Sequence, residues 1–135
     1  MTEAETRPDS AHRWPCVCCG HLTLLAPPGS YDDCPVCGWE DDIVGLRWPD
    51  LDQGANELSL IEAQRSYAET GAADPARRDG LRPPAADEPL DPGFRPVDPV
   101  RDNVEFSEAH DSPYPADPTQ LYWWRPTFWR TVQDA

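Results

Sequence analysis

Five cysteines lie between residues 16 and 37, and four of them form two Cys-x-x-Cys pairs. The pairs are Cys16 with Cys19 and Cys34 with Cys37, separated by fourteen residues. Two thiolates at this spacing meet at one metal ion when the backbone between them makes a tight turn, and two such turns supply a tetrahedral zinc site. A four-sulfur site leaves no coordination position for water, so we predict one structural Zn²⁺. The spacing does not distinguish zinc from iron.

The residues around the two pairs favour tight turns. Glycine follows the second cysteine of each pair, at Gly20 and Gly38, and it allows the positive φ with which the backbone curls under a metal ion. Cys18 lies inside the first pair, and we expect its side chain to point away from the ion; a reactive thiol is the less favoured alternative. With four cysteines in place, His21 is expected beside the site rather than as a ligand.

A short acidic run follows the second pair. Glu40, Asp41 and Asp42 could bind a second cation or act as acid and base. No partner set for catalysis surrounds them, so we favour a packed Trp39 followed by a solvated acidic turn.

Residues 121–130 hold five aromatic side chains and two arginines. Exposing so much aromatic surface to water is costly. The segment therefore either folds back and completes the core, which we favour, or binds a partner through residue types that are enriched at interface hot spots. The candidate partner-binding residues are Tyr122, Trp123, Trp124, Arg125, Phe128, Trp129 and Arg130.

One helix is predicted over residues 60–69. Ser59 and Glu62 have the spacing of a capping box, in which each side chain accepts from a free backbone N–H at the helix start. Gly71 follows the last turn, where glycine adopts a left-handed C-cap most easily.

Other elements are predicted to be short. Residues 21–25 alternate in part and end at two prolines, which favours one strand of a hairpin, and residues 43–46 are a second candidate strand piece. Asp117, Pro118 and Gln120 are typical of N-cap, N1 and N3, so a short helix is predicted to begin there.

Composition limits the size of any core. The chain has 135 residues, 39% hydrophobic, with 17 prolines and a mean hydropathy of -0.70. We predict a small metal-stabilised α+β module: a zinc ribbon, with two cysteine knuckles on a short β-hairpin, plus one packed helix and a long proline-rich irregular tail. The predicted divisions are a disordered arm (1–12), the cysteine-rich domain (13–73), an irregular Pro/Asp/Ala-rich segment (74–120) that cannot bury enough apolar surface to offset ordering entropy, and an aromatic anchor (121–135).

Charge narrows the class of partner. The formal net charge is -14, and all eleven basic residues are arginine. This charge disfavours nucleic acid and anionic membranes as partners and favours another protein. No apolar stretch approaches the ~20 residues that span a bilayer, and the first residues lack the apolar core of a signal peptide. We therefore expect a cytoplasmic protein, in which clustered cysteines bind metal rather than form disulfides.

The ordered series of motifs resembles a known family. It runs from Trp14 through both cysteine pairs to the acidic run, and continues through Pro49-Asp50, Gly54-Ala55-Asn56 and the capped helix. This series is similar to the bacterial cysteine-rich CPCC domain, a zinc-ribbon-like family, over roughly residues 13–73. The proline that gives the family its name is Val17 here, between two predicted ligands, so the change should leave metal binding intact. The resemblance implies the metal site and no particular activity.

These observations predict a non-catalytic zinc-binding module that mediates protein–protein interaction. The alternatives are a nucleic-acid-binding zinc ribbon and an enzyme that uses Cys18 or the acidic run at residues 40–42.

Overall fold

The structure is a computed structural model that describes residues 13–52, 54–105 and 113–130. The predicted arm at 1–12 lies outside the described residues. The described residues form a small α+β fold with two short strands and two α-helices, and neither of these helices is long and apolar enough to cross a membrane. In chain order the elements are β1 (Trp14–Pro15), β2 (Leu22–Leu24), α1 (Ile43–Arg47), α2 (Leu60–Thr70) and 3₁₀ turns at Pro75–Arg77 and Pro118–Leu121.

The two strands form an antiparallel hairpin that brackets the first cysteine pair. Trp14 lies opposite Leu24, and the register shifts between Trp14 and Pro15. Predicted strand 21–25 is confirmed in its centre, Leu22–Leu24. A distant segment continues the hairpin on its other side, because the N–H of Leu22 donates to Pro89 O (2.9 Å).

Helix α2 confirms the strongest prediction. The Ser59 hydroxyl accepts from the Glu62 N–H and the Glu62 carboxylate accepts from the Ser59 N–H, which completes the capping box. Gly71 ends the helix in the left-handed conformation, with φ of 83°. The buried Gln64 side chain donates to Val17 O (2.9 Å) and accepts from the Val97 N–H (3.0 Å). The helix thereby joins the first cysteine turn to the irregular segment.

The strand predicted at residues 43–46 is wrong: Ile43–Arg47 is α1. The β-branched pair Ile43-Val44 suggested a strand, but the buried Asp42 carboxylate caps a helix by accepting from the Val44 N–H (2.9 Å). Gly45 then lets the helix lie against the Trp39 ring, since a Cβ there would come within 3.2 Å of it. Capping and close packing outweigh local strand propensity here.

The segment between residues 72 and 105 is irregular but packed, contrary to the expectation that it buries too little apolar surface. Val97 and Val104 belong to the core. Four acidic side chains of the segment are also buried and form ion pairs with arginine: Glu88 with Arg82, Asp91 with Arg125, Asp102 with Arg95 and Glu105 with Arg47. Charge-assisted hydrogen bonds supply much of the cohesion that apolar residues supply elsewhere.

The ion pair between Arg82 and Glu88 changes the pKa of the carboxyl group. Two guanidinium nitrogens of Arg82 bond Glu88 at 2.6 and 2.9 Å, and this lowers the pKa of Glu88. Glu88 also accepts from the Ala85 N–H, so one carboxylate closes the turn that returns the chain to the hairpin.

The helix predicted after Asp117 is a single 3₁₀ turn, Pro118–Leu121, with Asp117 as its N-cap. This turn packs against α1. Leu121 and Tyr122 are almost fully buried, so the carboxyl-terminal segment contributes to the core.

Candidate metal centre

The two cysteine pairs are held by matching backbone turns. In the first, the Cys16 N–H donates to His21 O (2.9 Å) and the Gly20 N–H donates to Cys16 O (2.6 Å). In the second, Cys34 bonds Trp39 O at 2.9 Å and Gly38 bonds Cys34 O at 2.8 Å. The two turns therefore have the same pattern of backbone hydrogen bonds, and each turn directs its two cysteines toward the other pair.

Glycine closes each turn in a conformation that other residues rarely adopt. Gly20 has φ of 83° and Gly38 has φ of 86°. The ring of Phe94 also lies directly against Gly20, so that a Cβ there would overlap it.

The four predicted sulfur ligands converge. Their Sγ atoms all lie within 4.8 Å of one another, with Cys16–Cys37 at 3.5 Å and Cys19–Cys34 at 3.8 Å. A zinc–sulfur bond of ≈ 2.3 Å in a tetrahedron separates the sulfurs by about 3.8 Å. The sulfurs are therefore close enough to one another to hold one tetrahedral ion.

Burial gives a second reason to expect a cation. All four side chains are buried, and burial is the largest cause of the raised pKa of Cys16. Hydrogen bonds from the other three thiols hold the pKa of Cys34 below its ordinary value. Four buried thiols cannot all ionise together without a compensating positive charge, which a bound divalent metal supplies.

Thr23 is a residue of the site that the sequence reasoning missed. Its hydroxyl lies 3.2 Å from the Sγ of Cys34, a position from which it would donate to a metal-bound thiolate. Such outer contacts orient metal ligands and tune their charge. Its place in the middle of the predicted strand 21–25 was the available signal, since a hairpin strand lies beside both cysteine turns.

Cys18 and His21 lie outside the four-sulfur cluster. Cys18 is buried. The His21 ring nitrogen Nδ1 is 2.7 Å from Glu88 O, so His21 attaches the irregular segment to the hairpin.

Two carboxylates of the acidic run accept hydrogen bonds from backbone N–H groups. Asp41 is buried and accepts from the N–H and hydroxyl of Ser30 (3.1 and 2.7 Å); burial raises its pKa. Asp42 caps α1 and accepts from the Ala55 N–H at 2.7 Å. The expected solvated turn is therefore wrong for these two carboxylates, whereas Trp39 is packed as predicted.

The seven candidate partner-binding residues divide by exposure. Three of them are buried: Tyr122, Trp123 and Phe128. The other four keep part of their surface in water: Trp124, Arg125, Trp129 and Arg130. The segment thus folds back onto the core, as predicted, and its partly exposed residues form an outer surface.

Replacing Gly20 by Ala should destabilise the protein more than the same change at Gly71. Both glycines have φ of 83°, but only Gly20 has a neighbour, Phe94, in the space that a Cβ would occupy. We expect Gly71→Ala to cost about 1 kcal/mol from backbone strain and Gly20→Ala about 3 kcal/mol in all. Urea unfolding of metal-loaded protein measures both, and equal losses would show that the Phe94 contact is unimportant.

The family model for cysteine-rich CPCC matches residues 14–88, which is more than half of the chain. A search of the curated proteins finds no match. The match extends beyond residue 73, where we expected the resemblance to end, and takes in the turn that Glu88 closes. The chain belongs to the cysteine-rich CPCC family.

Proposed function

We propose that this cysteine-rich CPCC protein is a non-catalytic, zinc-ribbon-like module that presents a folded surface to another protein. The observation that carries the proposal is the closed four-sulfur cluster. All four cysteines are buried with their sulfurs within 4.8 Å of one another, and four thiolates so placed would fill the shell of one tetrahedral ion. A metal held in this way stabilises structure and has no open position for substrate or water.

Zinc is the ion that we propose for the cluster. Four thiolates in a tetrahedron suit Zn²⁺ and also iron. Zinc has a filled d shell and gives a colourless site, whereas an iron–thiolate site absorbs visible light. Elemental analysis and the absorption spectrum of protein purified under reducing conditions distinguish them. One zinc per chain is expected; a ratio near zero for every metal overturns the metal site itself.

A protein-interaction role is supported by what surrounds the cluster. Two of the three carboxylates in the acidic run accept hydrogen bonds from nearby backbone N–H groups, which supports a structural role for them. The outer face of the carboxyl-terminal segment exposes arginine and aromatic groups, the types most often found at interface hot spots.

The interaction role is tested by affinity purification of the tagged, metal-loaded chain from cells that naturally contain it. A protein partner that is enriched and then bound directly by the purified chain supports the role. Enrichment of no protein, or enrichment that persists after chelation has unfolded the chain, overturns it.

A further inference from the structure

An open groove of about 440 Å³ lies between the carboxyl-terminal segment and the turn at residues 101–103. Three of the eleven arginines line it: Arg101, Arg125 and Arg130. Its apolar part includes Trp123, Trp124 and Phe128. Two of these arginines face buried carboxylates, Arg125 with Asp91 at 2.8 Å and Arg130 with Glu105 at 3.8 Å, whereas Arg101 has no such partner among the described residues.

Asp102, the carboxylate that lines the groove, is already paired. Asp102 is buried and accepts two hydrogen bonds from Arg95, at 2.6 and 2.8 Å. Arg101 is exposed, and its guanidinium makes no hydrogen bond or ion pair with any residue in the described part of the chain. Its charge therefore stays available at the rim of the groove.

Most other polar groups of the groove are occupied. Arg125 uses Nε and Nη2 to bond Asp91 (3.1 and 2.8 Å), and about a third of its side chain stays exposed. The indole N–H of Trp124 also donates to Asp91 (2.7 Å), and that of Trp123 donates to Arg95 O (3.0 Å). The partly exposed indole of Trp124 consequently offers a ligand only its apolar surface, while the arginines offer N–H donors.

The groove is also preformed. The rings of Tyr122 and Trp124 stack with centroids 4.8 Å apart, and Trp123 meets Trp124 edge-on at 4.7 Å. The Arg125 guanidinium lies 4.8 Å from the Tyr122 ring centre. Rings fixed by one another lose little freedom on binding, so a ligand gains more from the same contacts.

We propose that this groove binds an acidic peptide segment of the partner protein. Its carboxylates would accept from the guanidinium groups of Arg101 and Arg125, and its apolar side chains would pack against Trp124. The inference rests on the proposed interaction role and names its surface. A short peptide suits the site better than a nucleic acid, because a charged polymer extends past three arginines onto an acidic surface that repels it.

Fluorescence anisotropy tests the inference with a fluorescein-labelled decapeptide of alternating Glu and Leu. The same peptide with Gln in place of Glu is the control for charge. We expect the metal-loaded chain to bind the Glu peptide more tightly than the Gln peptide. Arg101→Glu should weaken binding of the Glu peptide roughly fivefold, because it removes an exposed donor and adds a repelling charge.

Arg65→Glu is the matched control variant. Arg65 is exposed on α2 and does not line the groove, and its reversal changes the net charge by the same amount. Its affinity for the Glu peptide should equal that of the unchanged protein. Circular dichroism and the metal ratio check that both variants stay folded.

Four outcomes of these binding assays would overturn the inference: no binding of the Glu peptide, equal binding of the Gln peptide, equal losses in the two variants, or tighter binding of a 20-nucleotide single strand that Arg101→Glu abolishes. A cellular partner that binds the Arg101→Glu protein at full affinity would also overturn it. That last result leaves the interaction role intact and places its surface elsewhere.

Discussion

Chelating the metal ion is expected to unfold most of the described chain. The four cysteines belong to the same buried core cluster as Trp39 and Leu60. A structural zinc contributes of order 10 kcal/mol to the folding of small modules, and whole domains are stable by only about 5–15 kcal/mol. Without the ion, the core would have to accommodate buried thiols that no longer share a compensating charge.

The unfolding is measured by tryptophan emission and circular dichroism during titration with a chelator, with released zinc followed by a metal-sensitive dye. Cys34→Ser should give the same loss without chelator, because it removes one of the four sulfurs. Cys18→Ala is the control, since Cys18 is buried outside the cluster and its variant should keep one metal per chain. Native emission after complete metal loss would contradict the structural role.

Acidification should have the same effect as chelation. Metal binding requires ionised thiolates, so proton uptake competes with the ion and stability falls as pH decreases. The free energy of unfolding should therefore fall as pH decreases, as expected when the cysteine sulfurs are ionised in the folded, metal-bound state and protonated in the unfolded state.

Local signals in the sequence predicted the four-cysteine cluster well, because the geometry of its turns is encoded over short distances. A Cys-x-x-Cys pair and the glycine after it determine one turn, and the capping box at Ser59 determines where α2 begins. Each of these features depends on residues within about four positions of one another. Residues this close in the sequence are also close together in the fold, so the local pattern is enough to predict the structure.

The packing of the irregular segment depends on partners that are far apart in the chain. Asp91 is bound by Arg125, 34 residues away, and Glu105 by Arg47, 58 residues away. Composition showed only many acids, prolines and arginines, which is also the composition of unfolded chains. Which carboxylate meets which guanidinium follows from the fold and has no local signal. The helix at α1 was missed for a related reason, since its packing against Trp39 outweighs the strand propensity of Ile43 and Val44.

Replacing Glu105 by Gln should be the most destabilising change outside the metal centre. Glu105 accepts from Arg47 Nε at 2.7 Å, and the two side chains are only 6% and 1% exposed. It also accepts from the Trp48 indole N–H at 2.8 Å. Removing one charge of a buried pair costs about 3–5 kcal/mol, because the other stays buried with less compensation.

The aromatic rings around the Arg47 guanidinium give a second reason to expect a large loss of stability from Glu105→Gln. Arg47 lies 4.5–4.9 Å from the ring centres of Trp48, Tyr114 and Trp129. Two of those rings belong to the carboxyl-terminal part of the chain, so the buried cation joins α1 to that part. Weakening the ion pair between Arg47 and Glu105 should therefore loosen the packing of both α1 and the carboxyl-terminal part.

A double-mutant cycle separates the ion pair from simple loss of packing. Arg47→Met keeps most of the side-chain volume and removes the charge, so the double variant with Glu105→Gln should lose less stability than the sum of the single variants. Glu69→Gln, at an exposed position on α2, is the matched control and should change stability by less than about 0.5 kcal/mol. Additive losses would show that the two groups do not stabilise each other.

Amide hydrogen exchange extends the test to the carboxyl-terminal segment. If Arg47 joins that segment to the core, Glu105→Gln should speed exchange at the N–H of Trp129, which donates to Gln120 O (2.8 Å), more than at the N–H of Ala63 in α2. Equal acceleration at both sites would mean that the segment and the metal-centred core open as one cooperative unit. Unchanged exchange at Trp129 would mean that the aromatic packing of the segment holds it in place without the buried pair.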